Sequence, residues 1–164
     1  YMGNKRKLLQ QIENAVDKIQ DELGKNALTI GDGFSGSGIV SRMLKTKAKE
    51  LYVNDIAGYS KTLNECYLAN PSTQCINKIN NYIEDANKQL LNTNNVSNPW
   101  VSKHWAPKQT TIQKNERAYF THQNGKHIDI IRDYISNIPV KYQPFLLGPK
   151  LVHSSIHKNT NGQF

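Results

Sequence analysis

The stretch Ile30-Gly31-Asp32-Gly33-Phe34-Ser35-Gly36-Ser37-Gly38 constrains this chain more than any other. Glycine at every second or third position breaks any regular element running through it. A short apolar run, Ala27-Leu28-Thr29-Ile30, precedes it and predicts a buried strand. Ile39 to Leu44 follows, with Ile39, Val40, Met43 and Leu44 at helical spacing. Strand, glycine turn and helix in that order open a β–α–β unit. Such a turn brings bare backbone close to a ligand at the strand's carboxyl end.

The segments around the turn extend the unit. From Asn4 to Leu23, residues Leu8, Leu9, Ile12, Val16, Ile19 and Leu23 recur in steps of three and four. That stripe predicts an amphipathic helix, which Gly24 ends. Leu51-Tyr52-Val53 predicts a second strand ending at Asn54-Asp55, and Tyr59 to Leu68 a helix closing before Asn70-Pro71. The series matches the first half of a doubly wound α/β sheet. After Pro71, Ile76, Ile79, Ile83, Ala86 and Leu90 predict another amphipathic helix. Asn92 to Thr111 reads as an irregular polar loop carrying Pro99, Trp100, Trp105 and Pro107. Arg117 to His122 reads as a strand, Ile128 to Ile138 as a helix, and Phe145 to Ile156 as a helix bent near Gly148-Pro149. The expected organisation is a ligand-binding part over residues 1–70 and a helical and loop insert over 71–164.

A chain of 164 residues buries one respectable core, and a second full domain is not expected. Lys and Arg number 21 against 13 Asp and Glu, a net charge of +8. By charge alone, a polyanionic partner and a merely solvated basic surface weigh equally. No window approaches the ~18 continuous apolar residues of a membrane span, and no signal segment is recognisable, so a cytoplasmic location is expected. Cys66 and Cys75 read as reduced structural thiols. Among the five histidines, His153 and His157 stand four apart, but no H-E-x-x-H pattern accompanies them and no metal is expected.

The turn itself has two readings. Gly31, Gly33 and Gly36 satisfy the G-x-G-x-x-G spacing of NAD-binding folds. Asp32, however, stands where a carboxylate would repel a pyrophosphate. A nucleoside ligand that carries an ammonium group and no phosphate is better tolerated there. Asp55, at the end of the second strand, suits ribose hydroxyls in either case, or caps the following helix. Lys5-Arg6-Lys7 alone reads as a solvated charge run or as generic phosphate contacts.

With its acid included, Asp32-Gly33-Phe34-Ser35-Gly36-Ser37-Gly38 resembles the D-x-F-x-G-x-G turn of S-adenosylmethionine-dependent methyltransferases. Tyr1-Met2-Gly3-Asn4-Lys5-Arg6-Lys7-Leu8-Leu9 resembles the N-terminal motif of D12-class adenine-N6 DNA methyltransferases. Asn54-Asp55, Trp105 to Lys108, Asn115 to His122, Ile128 to Arg132 and His153 to Phe164 are also similar to segments of bacterial modification methylases of that class.

The resemblance implies a Rossmann-like class I fold with a largely helical target-recognition insert. S-adenosylmethionine is the implied cofactor, S-adenosylhomocysteine the product and double-stranded DNA the substrate. The implied setting is a bacterial restriction–modification system with a cognate restriction endonuclease, in the cytoplasm and at the nucleoid. The implied cofactor wall is Tyr1, Lys5, Asp32, Phe34, Gly36, Ser37, Gly38 and Asp55, with Tyr1 stacking near the cofactor and Lys5 pairing with its carboxylate. Lys103, Trp105, Lys108, Lys114 and Arg117 form the candidate DNA-facing surface, the cations on phosphates and an exposed ring on bases. Against this, Trp100 and Trp105 each fit a role of packing the loop down.

One departure is large. The family's catalytic Asp/Asn-Pro-Pro-aromatic tetrapeptide is missing, for the sequence contains no Pro-Pro, and Asn98-Pro99-Trp100 lacks the second proline. No catalytic residue is therefore assigned. The expectation is a chain that holds the cofactor half of a longer enzyme and is inactive alone. The alternatives are a non-catalytic nucleic-acid-binding or complex-forming module and an NAD-binding oxidoreductase domain. The last leaves Asp32, Phe34 and the Tyr1–Lys5 motif unexplained.

Overall fold

The computed structural model describes residues 5–92 and 96–154. Tyr1 and the segment after Ser154, including His157, lie outside the described residues. The chain divides into two compact units, Tyr1–Asn70 and Pro71–Phe164.

In the first unit a 3-10 turn, Lys5–Leu8, leads into α1 (Leu9–Leu23). Gly24 ends α1 in the left-handed region at φ 62°, and the Gly24 and Lys25 N–H groups donate back to the carbonyls of Asp21 and Gln20. Next come β1 (Leu28–Asp32), α2 (Ile39–Leu44), β2 (Ala48–Val53) and α3 (Gly58–Tyr67). β1 and β2 pair in parallel with Ile30 opposite Leu51 and Asp32 opposite Val53, and α2 is the crossover that parallel pairing requires. The unit is thus an α/β arrangement. β1 runs two residues into the glycine stretch, so Gly31 and Asp32 belong to the strand. Its pairing with Tyr52 and Val53 carries it past the predicted end at Ile30. Lys47, just before β2, holds α1 to the crossover through Glu13 at 3.2 Å and Asp17 at 2.5 Å. The hydrogen bond to Asp17, more than any other contact, raises the Lys47 pKa.

The second unit contains α4 (Thr73–Asn92), α5 (Trp100–Trp105), α6 (His122–Asn137), a 3-10 turn at Val140–Tyr142, and α7 (Gln143–Ser154). Its core joins Ile79 and Ala86 of α4, Ile131 and Ile135 of α6, and Ile138, Tyr142 and Leu146. The helical stripes read from the sequence supply most of these contacts.

Two expectations are corrected. The segment read as a loop from Asn92 to Thr111 contains helix α5, whose N-terminal N–H groups are capped by a side chain from another helix. Arg117 to His122 forms no strand. Phe120 N–H instead donates to the Trp105 carbonyl at 2.9 Å, and Thr121 caps α6 by accepting from Asn124 N–H at 3.1 Å. The apolar residues there lean on α5 rather than on a neighbouring strand.

The cap gives a direct test. Thr121→Ala is expected to cost about 1 kcal/mol and to lower the melting temperature of this unit by roughly 4–8 °C. Thr121→Ser should retain most of the stability. Thermal melts followed by circular dichroism check both.

Candidate functional site

The glycine turn is stitched to the end of β2. Asn54 N–H donates to the Asp32 carbonyl at 2.9 Å, and Ser35 N–H donates to the Asn54 carbonyl at 3.0 Å. Gly36 N–H then donates to Asp55 Oδ2 at 2.7 Å. The other Asp55 oxygen, Oδ1, accepts from Ala57 N–H at 2.9 Å, at the start of α3. Asp55 therefore fastens both the turn and Ala57, the residue that precedes α3, with one carboxylate. These backbone donors, Ala57 before Gly36, hold its pKa below the ordinary range, and Lys5 adds a smaller electrostatic contribution. Lys5 is exposed and comes close enough to act on Asp55 despite their separation in sequence.

Asp32 sits half-buried at the end of β1. Its Oδ2 accepts from the fully buried Ser41 hydroxyl at 2.6 Å, which anchors the acid to α2. Oδ1 has no protein hydrogen bond among those described.

The glycines divide by role. A Cβ at Gly31 or Gly33 would meet nothing within 4 Å, so space is open over both. Gly36 and Gly38 have φ of 53° and 72°, a region that L side chains rarely adopt. A Cβ at Gly38 would also collide with Asn64 Oδ1. The expectation that Gly38 admits a ligand is met on that side by Asn64 instead: this glycine makes room for α3. Asn64 Nδ2 donates to the Ser35 hydroxyl at 2.9 Å and the Ser60 hydroxyl at 3.2 Å, forming a small polar core. Beside it lies a cavity of about 500 Å3 whose walls include Ser35, Val53, Asn54, Asp55, Ser60 and Asn64. Ser37 is half-buried in the turn. Phe34, at 83% exposure, and Ile56, at 103%, flank the turn as bare apolar surface. Sequence reading missed Ile56. Its signal is an aliphatic side chain directly after an acid at a strand end.

The second unit gathers the basic and aromatic candidates. Lys103, Lys108, Lys114 and Arg117 are all exposed. Trp105 is half-buried, with Tyr119 edge-on at 5.9 Å and the Arg117 guanidinium 5.2 Å from its ring centroid. The structure thus gives Trp105 a packing role, leaving Trp100 as the more exposed indole at 48%. Glu116, not singled out from the sequence, braces the basic loop by accepting from Lys108 N–H at 3.2 Å and Gln113 N–H at 2.9 Å. Those two donors, Gln113 first, lower its pKa. His122 Nδ1 lies 2.9 Å from the Pro107 carbonyl and closes the loop's base.

A glycine-rich loop at the carboxyl end of a parallel β–α–β unit, clamped by an acid from the adjacent strand, defines the class: an α/β protein presenting a ligand turn at its strand ends. The chain belongs to the D12 class N6 adenine-specific DNA methyltransferase family, whose model matches residues 1–164. It is 30% identical over 132 residues to the type II methyltransferase M.NlaIII of Neisseria lactamica, covering 80% of this chain and 36% of that one. To the type II methyltransferase M.CviAII of Paramecium bursaria Chlorella virus 1 it is 29% identical over 168 residues, covering 98% of this chain and 46% of the other. The chain thus spans less than half the length of these curated relatives. No solved structure matches it. The family implies a methyl donor and a DNA substrate. Among the described residues, no helix is long and apolar enough to cross a membrane.

The lowered Asp55 pKa carries a sign. A carboxylate with a depressed folded-state pKa contributes stability that is present above its unfolded pKa and lost as pH falls through the folded value. Melting temperature should therefore decline as pH drops below the ordinary carboxylate range. Asp55→Asn should lower it at neutral pH and flatten the acid-side decline. Melts at a series of pH values test this, and an unchanged acid limb in the variant would count against the clamp.

Proposed function

We propose that this chain carries the S-adenosylmethionine site and part of the DNA-contacting surface of a site-specific DNA adenine-N6 methyltransferase of a restriction–modification system, acting in the cytoplasm. In this reading the first unit is part of a Rossmann-like class I fold. The observation that carries it is the convergence of Asp32, the open backbone at Gly31 and Gly33, and Asp55 around one turn. The fit is chemical. Asp32 Oδ1 accepts no hydrogen bond among those described and suits an ammonium group. Each Asp55 oxygen retains a lone pair for a ribose hydroxyl. Phe34 and Ile56 offer apolar faces for an adenine, Ser37 leaves room beside them, and Lys5 suits a carboxylate. Tyr1 remains part of the proposed wall by family resemblance.

S-adenosylmethionine supplies a methyl group already activated on a sulfonium. The protein's part here is to orient it: Asp55 fixes the turn, and Asp32, held by Ser41, fixes the ammonium end. The family's catalytic tetrapeptide has no counterpart in this sequence, so the isolated chain is expected to bind without transferring methyl. Lys103, Lys108, Lys114 and Arg117 are proposed to contact phosphates.

Isothermal titration with S-adenosylhomocysteine should show one site, with NAD giving no heat. Asp55→Ala should weaken binding by about tenfold or more, the scale of a lost charge-assisted hydrogen bond. Binding of NAD alone would overturn the assignment. For DNA, replacing Lys108 or Lys114 by Ala should reduce the slope of log affinity against log salt by about one unit each. Fluorescence anisotropy with a labelled duplex measures it, and unchanged slopes would remove these lysines from the interface.

A further inference from the structure

One face of α6 carries residues that do not join its apolar stripe. Gly125, Asp129, Arg132 and Asp133 follow the spacing i, i+4, i+7, i+8 and line up along the helix. Every one of them holds the segment that contains α5. Asp129 is fully buried. Its Oδ1 accepts from Val101 N–H at 2.9 Å, and its Oδ2 accepts from Ser102 N–H and the Ser102 hydroxyl, both at 2.7 Å. Arg132 lies 4.0 Å from Asp129 Oδ1 and donates to the Asn98 carbonyl at 2.7 Å. The Ser97 hydroxyl donates to Asp133 Oδ1 at 2.7 Å. A Cβ at Gly125 would lie 2.7 Å from the Ala106 Cβ and 3.1 Å from the Ser102 Cα, so only glycine permits this approach.

These contacts have a specific consequence. α5 spans six residues, too few to persist as an isolated helix. Its N-cap residue is Pro99, which offers no side-chain acceptor. Val101 and Ser102 contribute first-turn N–H groups that need a partner. Asp129 supplies that cap from the neighbouring helix. A buried carboxylate costs free energy and is tolerated only with its acceptor positions filled. Here they are filled by the Val101 and Ser102 N–H groups and the Ser102 hydroxyl of α5, while the exposed side chains Trp100, Lys103 and His104 take no part in the clamp.

We propose that Asp129 is a positioning residue for DNA contact: it fixes the α5 backbone so that Lys103 and Trp100 meet the duplex in register with the loop bearing Lys108, Lys114 and Arg117. This rests on the DNA reading above. Its partner is the sugar–phosphate backbone of duplex DNA, with Lys103 neutralising phosphate.

The test is a double-mutant cycle on the full chain, read by the salt dependence of binding to a labelled duplex. Lys103→Ala should cost about one slope unit in the wild-type background and little or nothing in the Asp129→Asn background, because an unpositioned Lys103 has nothing left to lose. Acrylamide quenching of tryptophan fluorescence should rise in Asp129→Asn. A purely structural role predicts the same Lys103→Ala loss in both backgrounds, and that additive result would overturn the proposal. If Asp129→Asn fails to fold, Ser102→Ala, which removes only one of the three donors, enters the same cycle with the same criterion. A wild-type chain that binds no duplex overturns the DNA reading and this assignment with it. Wild-type binding with an additive cycle overturns the assignment alone.

Discussion

The first unit depends on one carboxylate. Asp55 joins the end of β2 to the glycine turn through Gly36 N–H and to the start of α3 through Ala57 N–H. The left-handed backbone at Gly36 and Gly38 is open to glycine without strain, and contacts with the rest of the unit fix one conformation among the many glycine allows. Asp55 holds one side, and the Ser35–Ser60–Asn64 network holds the other. What remains open is the face over Gly31 and Gly33, with Asp32 beside it. Among the described residues, the turn is fixed on the sides of Asp55 and Asn64, and the backbone at Gly31 and Gly33 is left bare.

The same device recurs in the second unit. Glu116 collects the N–H groups of Lys108 and Gln113, and Asp129 those of Val101 and Ser102. In each case an acid satisfies backbone donors that no helix or strand ladder pairs, Glu116 from within the loop and Asp129 from another helix. The charge balance gains meaning from this. Several of the scarce acids are used on backbone, and Lys103 and Lys114 form no ion pair among the described residues. A basic surface therefore survives folding, which is what association with a polyanion requires.

Much of the fold was legible in local pattern. The stripes of α1, α4 and α6, the run of α2 and the stop at Gly24 all follow from spacing and glycine chemistry, which act between near neighbours. The failures share a cause. α5 has no capping residue of its own in sequence, so its helix was invisible without Asp129. Arg117 to His122 has strand-like composition, yet its apolar side chains pack on Trp105 and its threonine starts a helix. Composition cannot distinguish a strand from a segment whose partner is a distant helix. Trp105, chosen from sequence as a DNA contact, is half-buried beneath Arg117 because Tyr119 and Phe120 fold back on it.

By itself the sequence determined the order of elements in the first unit, the glycine turn and the family, since all three are written in residue identity and short-range spacing. The tertiary structure decided what each polar residue does. Gly38 is required by Asn64, twenty-six places along the chain (38 to 64). Asp55 clamps Gly36 as well as the Ala57 N–H ahead of α3, and Asp129 of α6 builds the segment that bears Lys103. The physical reason differs between them: Gly38 is a matter of space, whereas at the two acids a buried or half-buried carboxylate must find donors, and which donors it finds depends on what the folded chain brings beside it.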